Sequence, residues 1–292
     1  MLSLKQFEDF DLNEKPDRFL AQGAAENTRV PNPFLGVFPP TSTLGQGSTI
    51  VQRRLWPAFP QFTTLRVQGA NTGRAIYHAL QLKVDKRLTH GLNFLWTYTN
   101  SKLIDNYTTS VVNERHYRSV SEFDQPQVMR LAFTYQLPFR ADGAALKRVV
   151  EGWSLSGFLN FASGQPLSIS HANGRPIRIR NARKSGPVVE RLGQYFDTTA
   201  FVPLPNQYTV SPEPPYFDEL RAPRARSLNL SVFKSVPVRE RLRVEVRMEM
   251  ANFTNTPNFN APGTNMSNAA TFGVITSAGG SRSMQMGARL VF

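Results

Sequence analysis

The stretch LRVEVRMEM at Leu242–Met250 alternates between two kinds of side chain from its first residue to its last. Its apolar members are Leu242, Val244, Val246, Met248 and Met250, and its charged members are Arg243, Glu245, Arg247 and Glu249. Successive side chains of a β-strand point to opposite faces, so a period of two predicts a strand with one apolar and one charged face.

The same period of two recurs on both sides of this stretch. It is found in residues 75–86, 92–102, 127–137, 152–162, 226–236 and 284–292. No part of the sequence keeps a helical period over several turns. The pattern therefore predicts an all-β chain with antiparallel strands.

Composition narrows the class of protein further. The 292 residues carry 34 Lys and Arg against 21 Asp and Glu, a net charge of +13, and include no cysteine. A chain without cysteine has no disulfide framework, no cysteine zinc site and no thiol nucleophile. An apolar content of 40% is too high for a wholly disordered chain. A soluble β-rich domain and a membrane-spanning β-barrel both fit these values.

The lengths of the runs and of their connections favour the barrel. The alternating runs are close to the roughly 9–11 residues of a tilted membrane strand, whereas soluble strands have about 5–6. The connections at 87–91 and 237–241 are short, 138–151 is moderate, and 103–126, 163–225 and 253–281 are long. Outer-membrane barrels have short periplasmic turns and long extracellular loops. The sequence thus predicts an antiparallel transmembrane β-barrel segment of about 7–9 strands.

The two ends of the chain differ in pattern. Residues 1–70 contain many prolines and no basic region followed by an apolar one, which predicts an irregular loop region with possible weak strands and no secretory signal peptide. Residues 71–292 hold all seven alternating runs. We therefore expect residues 71–292 to form the barrel part of the chain.

Two charged groups are candidate functional features. Alternation predicts that Arg243, Glu245, Arg247 and Glu249 form a ladder of charges facing the barrel lumen, paired across strands, although catalytic acids remain conceivable. A second, basic group comprises Arg175, Arg178, Arg180, Arg183 and Lys184. It is either a solvated loop or a polyanion contact. We hypothesise that residues 171–184 face the cell exterior, where they could contact lipopolysaccharide phosphates or an acidic ligand.

Several segments in this order resemble the C-terminal barrel of bacterial TonB-dependent receptors. The resemblance is to the Oar-like group, whose members carry a carboxypeptidase-regulatory-like N-terminal domain. The segments are VPNPFLG at 30–36, RLWPAFPQF at 54–62, YHALQLKVDKRLTHGLNFLWTYTNSK at 77–102, LAFTYQLPF at 131–139, GWSLSGFLNFASGQPLSI at 152–169, YFDTTAF at 195–201, LNLSVFKSVPVRERLRVEVRMEMANFTNTPNF at 228–259 and the terminal SMQMGARLVF.

The resemblance implies a larger barrel of about 22 strands that is plugged by an N-terminal domain. It also implies energised uptake of a scarce substrate across the bacterial cell outer membrane. The implied partners are outer-membrane lipid and lipopolysaccharide, the barrel-assembly machinery, and the TonB complex, which acts through an N-terminal region not seen here. The chain is then expected to be a terminal fragment of a receptor.

The C-terminal residues match a further feature of outer-membrane proteins. Phe292, Leu290 and Ala288, with Met286 and Met284 before them, place an aromatic end on an apolar alternation. This arrangement resembles the signal by which such proteins reach the barrel-assembly machinery. It is equally compatible with a lipid-facing strand that ends the protein.

No motif in the sequence predicts an enzyme. The four histidines, His78, His90, His116 and His171, lack metal-site spacing, so neither a metal nor a cofactor is expected. The alternative to a barrel is a soluble basic β-rich module that binds polyanions or nucleic acid, a partner that the barrel interpretation does not expect. Salt-sensitive binding without detergent would favour that module.

Overall fold

A computed structural model of the protein describes residues 2–110, 112–113, 115–239 and 242–292. One large sheet contains nine strands. They are β1 (Leu2–Asp11), β2 (Arg66–Thr89), β3 (Leu92–Ser110), β4 (Arg115–Val120), β5 (Gln127–Gln136), β6 (Trp153–Ala162), β7 (Ala225–Arg239), β8 (Leu242–Ala251) and β9 (Ser283–Val291).

The remaining elements are short and lie in the connections. Three strand pairs join Arg29–Pro31 to Thr49–Val51, Ile177–Arg178 to Phe201–Val202, and Asn258–Phe259 to Ala278–Gly279. The α-helix α1 spans Ala144–Val150, and 3₁₀ helices span Asp17–Asn27, Gln52–Leu55, Val188–Arg191 and Thr198–Ala200. No helix in the described part of the chain is long and apolar enough to cross a membrane.

The large sheet is an antiparallel meander. Its order is β1-β2-β3-β5-β6-β7-β8-β9, and β4 folds back to pair with the end of β3. All of its pairings are antiparallel, which confirms the predicted class of fold. Within the described residues, β1 and β9 lie at opposite edges and do not pair with each other.

The register of the sheet places the alternating apolar residues of different strands on one face. A single row runs across five strands through Val84, Trp96, Leu131, Leu159 and Leu228. Directly opposed residues on paired strands share a face, so the apolar parity of each strand continues into the next. Large apolar side chains on this face stay accessible: Leu80 is 58% exposed and Met286 is 74% exposed. We call it the apolar face.

The two ends of the sheet differ in their connections. At the turn end, β2 and β3 are joined by His90 and Gly91, which both have positive φ, 53° and 76°. Two such residues suit the tight hairpin turn that matches strand twist. A Cβ on Gly91 would lie 2.6 Å from the carbonyl oxygen of Gln136, so this turn requires glycine. Residues 240–241, in the predicted second short turn, lie outside the described residues.

Two strands depart from the sequence prediction. β1 lies in the region expected to be irregular, and its register with β2 shifts between Gln6 and Glu8 and again between Glu8 and Phe10. Each shift changes which face the following side chains point to, so the apolar residues of β1 do not alternate regularly in the sequence. β4 lies inside the predicted long loop 103–126, where it lengthens the β3 hairpin, and its sequence RHYRSV has no apolar face.

At the loop end of the sheet, the long connections form a folded unit. We call residues 163–224 and 252–282 the loop cap. Its buried core comprises Leu167, Ile169, Ala182, Tyr195, Phe196, Ala200, Phe201, Phe217, Leu220 and Ile275. The ring of Phe196 packs edge-on against Phe201 and Phe272 at centroid distances of 6.0 and 5.3 Å. The loops that carry the predicted basic group are therefore held by a core of their own.

Candidate functional site

An ion network around one buried carboxylate joins the loop cap to the sheet. The guanidinium of Arg221 contacts the carboxylates of Asp124 at 2.6 Å and Asp218 at 2.5 Å. The Asp124 side chain is fully buried and also accepts a hydrogen bond of 2.6 Å from the backbone N–H of Leu103. Lys102, on β3, pairs with the other side of Asp218. These ion pairs and hydrogen bonds join the cap to β3 and to the link after β4. Breaking one of them would leave a buried charge without a partner, so they hold the cap in one position.

Two carboxylates of the cap, one exposed and one half-buried, have lowered pKa values. Partial burial is the largest influence on Asp218 and raises its pKa, but the hydrogen bonds and charges of Lys102 and Arg221 together lower it below the usual value. The Thr199 hydroxyl bond chiefly lowers the pKa of Asp197, and Arg180 adds to that effect. Both groups thus act as permanent anions at neutral pH.

Three residues of the predicted basic loop contact other side chains of the protein. Arg175 lies over the ring of Tyr117 at 4.3 Å, Arg178 pairs with Glu219, and Arg180 pairs with Asp197 at 3.0 Å. These contacts connect the loop to its neighbours. The charges of Arg178 and Arg180 are therefore paired within the cap, whereas Arg175 is held against a ring of β4.

The other two residues of that loop, Arg183 and Lys184, line a cleft of about 720 Å³. The cleft is also lined by four basic residues outside the predicted loop: Arg191, Arg221, Arg224 and Arg226. None of the four was a predicted site residue, although RAPRARS at 221–227 is as rich in arginine as the predicted loop. Arg221 is already paired with Asp124 and Asp218. We call Arg183, Lys184, Arg191, Arg224 and Arg226 the basic cleft.

Tyr195 lines the same cleft and lies beside Arg191. The Arg191 guanidinium lies 4.7 Å from the centre of the Tyr195 ring. Burial raises the pKa of the Tyr195 phenol, while the charges of Arg191, Arg224 and Arg183 act in the opposite direction. Because these cations line one cleft, it can present several positive charges to one anion.

The predicted charge ladder lies on the face opposite the apolar one. Glu245 pairs across the strands with Arg289 at 2.9 Å, and Glu249 accepts a hydrogen bond from Gln285. Arg247 contacts Glu249 along its own strand at 3.2 Å. Arg243 stands opposite Val291, with no carboxylate across from it in β9. The structure thus places all four residues on one polar face, with Glu245 in a cross-strand ion pair.

The C-terminal residues lie at the edge of the sheet. Leu290 and Ala288 stand on the apolar face of β9, opposite Val244 and Val246, and Phe292 follows that strand. The Phe292 side chain is 96% exposed and Leu290 is 61% exposed. All three residues are therefore accessible to lipid or to another protein.

Within the described residues, no group of three or more His, Asp or Glu side chains is arranged to hold a metal ion. The buried carboxylate Asp124 is engaged by Arg221 instead.

Nine antiparallel strands with an uncovered apolar face define an outer-membrane type of β protein, in which the apolar face contacts lipid. A protein-family comparison agrees: the model of the outer membrane beta barrel domain matches residues 5–285. The chain belongs to this family, which places it in the bacterial outer membrane. Comparison with curated proteins gave no match. The family assignment favours the barrel over the soluble polyanion-binding alternative.

Proposed function

We propose that the chain is the C-terminal barrel segment of a TonB-dependent receptor that binds a substrate and takes part in its energised uptake. The observation that carries the proposal is the folded loop cap at one end of an antiparallel sheet that belongs to the outer membrane beta barrel family. A receptor needs a stable surface at the outside of the membrane, and a core of ten buried residues gives the loops that stability.

The Oar-like sequence segments add the receptor type to this argument. They run through β2, β3, β5, β6, β7 and β8, in the order of that group. Within the described residues the two edges of the sheet are unpaired, which also favours a larger barrel, because open edges within lipid leave backbone groups without hydrogen bonds. Further strands and a plug would then complete the receptor and contact TonB. In this proposal the chain performs no enzymatic reaction.

The test is association with TonB in native outer membranes. An affinity tag inserted at Gly186, an exposed position of the loop cap, would allow capture of the protein after cross-linking on intact cells. We expect TonB to be captured from energised wild-type cells and to be absent when the upstream receptor region is deleted. An outer-membrane protein that never captures TonB would contradict the receptor proposal while leaving the barrel family intact.

We also propose that Phe292 and its alternating neighbours contact the barrel-assembly machinery. The exposed ring at the end of an edge strand suits recognition by strand pairing. Deletion of Phe292 should reduce the amount of assembled protein in the outer membrane, whereas Arg282→Gln, before β9, should not. Equal assembly of both variants, measured by fractionation and heat-modifiable migration, would rule out the signal.

A further inference from the structure

The basic cleft lies at the rim of the apolar face. Phe161, which lines the cleft, stands on the apolar face of β6 opposite Met129 and Arg226. Both paired strands end within a few residues of this point, at Ala162 and Ala225. In an outer-membrane barrel, the loop end of the lipid-contacting face stands at the height of the outer-leaflet headgroups. The cleft therefore opens where lipid headgroups meet the protein.

The cleft contains more unpaired positive charge than unpaired negative charge. Five of the six basic residues that line it make no ion pair within the described residues, whereas Arg221 and the two lining carboxylates, Asp218 and Glu219, are already paired. In the described residues the Nε atom of Arg191 is also buried without a hydrogen-bond partner. A buried donor without a partner is costly, and a bound anion would supply the missing acceptor.

The cleft also has apolar walls next to its charges. Phe161, Val188 and Phe259 line it, and Val189 beside them is 64% exposed. A free inorganic anion gains nothing from these side chains. A molecule with an anionic head and an apolar tail gains from both parts of the cleft.

We propose that the basic cleft binds the phosphate-bearing head of an outer-leaflet lipid, with lipopolysaccharide as the chemical class. The arginines would hold the phosphate through charge-assisted, bidentate hydrogen bonds. The acyl chains would continue down the apolar face below Phe161. The proposal concerns a lipid site beside the barrel and holds whether or not the chain takes part in uptake.

The proposed lipid site is not at the loop 171–184 that the sequence predicted as the contact with lipopolysaccharide or an acidic ligand. Arg175, Arg178 and Arg180 are engaged with Tyr117, Glu219 and Asp197. The unpaired charge is instead shared between the end of that loop and the RAPRARS segment at 221–227. Binding thus depends on residues from both sides of the cleft.

The experiment uses the full chain purified from outer membranes in mild detergent and stripped of bound lipid. Binding of lipopolysaccharide, of the same lipid after removal of its phosphates, and of inorganic phosphate alone would be compared by native mass spectrometry. A triple variant, Arg183→Gln, Arg224→Gln and Arg226→Gln, removes three charges from the cleft. Its matched control, Arg87→Gln, Lys147→Gln and Arg148→Gln, removes three exposed charges at the turn end.

We expect phosphorylated lipid to bind the wild type and the control equally, and the cleft variant at least about tenfold more weakly, because three charge-assisted contacts are lost. Dephosphorylated lipid should bind the wild type as weakly as lipopolysaccharide binds the cleft variant. Equal binding of both lipids to the wild type would overturn the proposal without any variant. Equal binding of inorganic phosphate and lipopolysaccharide would also overturn it and assign the cleft to a free anion.

Discussion

The loop cap and the large sheet place their big apolar side chains in opposite ways. In the cap, Phe196 is 0% exposed and Leu204 is 2% exposed. On the apolar face of the sheet, Leu80 is 58% exposed, Leu290 is 61% exposed and Met286 is 74% exposed. One chain thus contains a region that hides its apolar residues and a region that displays them.

The difference shows that each region is matched to a different solvent. Burial of apolar surface stabilises a structure in water, so the cap collects its aromatic rings into a core. Lipid tails are themselves apolar, so the sheet loses nothing by leaving its apolar face accessible to them. Exposed apolar residues on the sheet are therefore part of the fold in its membrane, whereas the cap depends on the burial of its aromatic core.

The largest expected effect comes from breaking the core of the cap. Phe196→Ala should lower the free energy of local cap unfolding by about 3–5 kcal/mol, because a fully buried ring leaves a cavity. The cap packs on the sheet but does not form its strand ladder, so the barrel should remain assembled. Hydrogen exchange of cap amides, compared with heat-modifiable migration of the whole protein, would measure the two regions separately.

A control for that variant lies on the surface of the same cap. Val189→Ala removes apolar atoms from a side chain that is 64% exposed, so the free energy of cap unfolding should change by about 0.5 kcal/mol or less. Loss of barrel assembly in Phe196→Ala would show that the cap and sheet unfold as one unit, contrary to the comparison.

The sequence predicted the sheet better than the cap. The strands follow from local patterns, whereas the cap depends on contacts between residues that are far apart in the chain. Alternation in LRVEVRMEM is local, and it correctly predicts strand, partner face and class of fold. The ion pair of Arg221 with Asp124 joins residues 97 positions apart, and no local pattern reveals such a contact. β1 is an intermediate case, since its register shifts break an alternation that a regular ladder would have kept visible.

Contacts between distant residues also explain why the candidate site was predicted only in part. The basic stretch 175–184 was visible as a run of charge, but its pairing with Glu219 and Asp197 depends on the folded cap. Arg224 and Arg226 were visible in the sequence too, yet only the cap brings them beside Arg183 and Lys184. A charge run predicts where cations are and leaves open which of them stay available to a ligand.

The second prediction compares the two faces of one strand. Val232 stands on the apolar face of β7 between Leu155 and Met248, and Ser231 stands on the polar face between Ser156 and Glu249. Val232→Arg should destabilise the folded protein in lipid by about 2–4 kcal/mol, the cost of a cation near the middle of the membrane. Urea titration in lipid bilayers would measure the difference from the wild type.

Ser231→Arg serves as the matched control for that substitution. It introduces the same side chain one residue away, beside a carboxylate of the charge ladder, so its effect should stay within about 0.5 kcal/mol. If both variants were equally destabilised, or if Val232→Arg were neutral, the assignment of the apolar face to lipid would be wrong.

The smallest expected effect is the response of the cap to acid. The folded-state pKa of Asp218 is below the usual value of 3.8, so its contribution to stability is fully present above that value. It is lost as the pH falls below 3.8 and through the folded-state pKa, because the protonated carboxyl no longer pairs with Lys102 and Arg221. Since Asp218 is 57% exposed, solvent screening limits this contribution to roughly 1 kcal/mol or less.

Asp218→Asn isolates this contribution. At pH 7 the variant's cap should open more readily than that of the wild type, as measured by protease cleavage, and the two should converge as the pH falls below 3.8. Glu213→Gln, which removes a cap carboxylate without an ion pair in the described residues, should match the wild type at both pH values. A difference between Asp218→Asn and the wild type that persisted unchanged at low pH would mean that Asp218 acts through its shape and not through its charge.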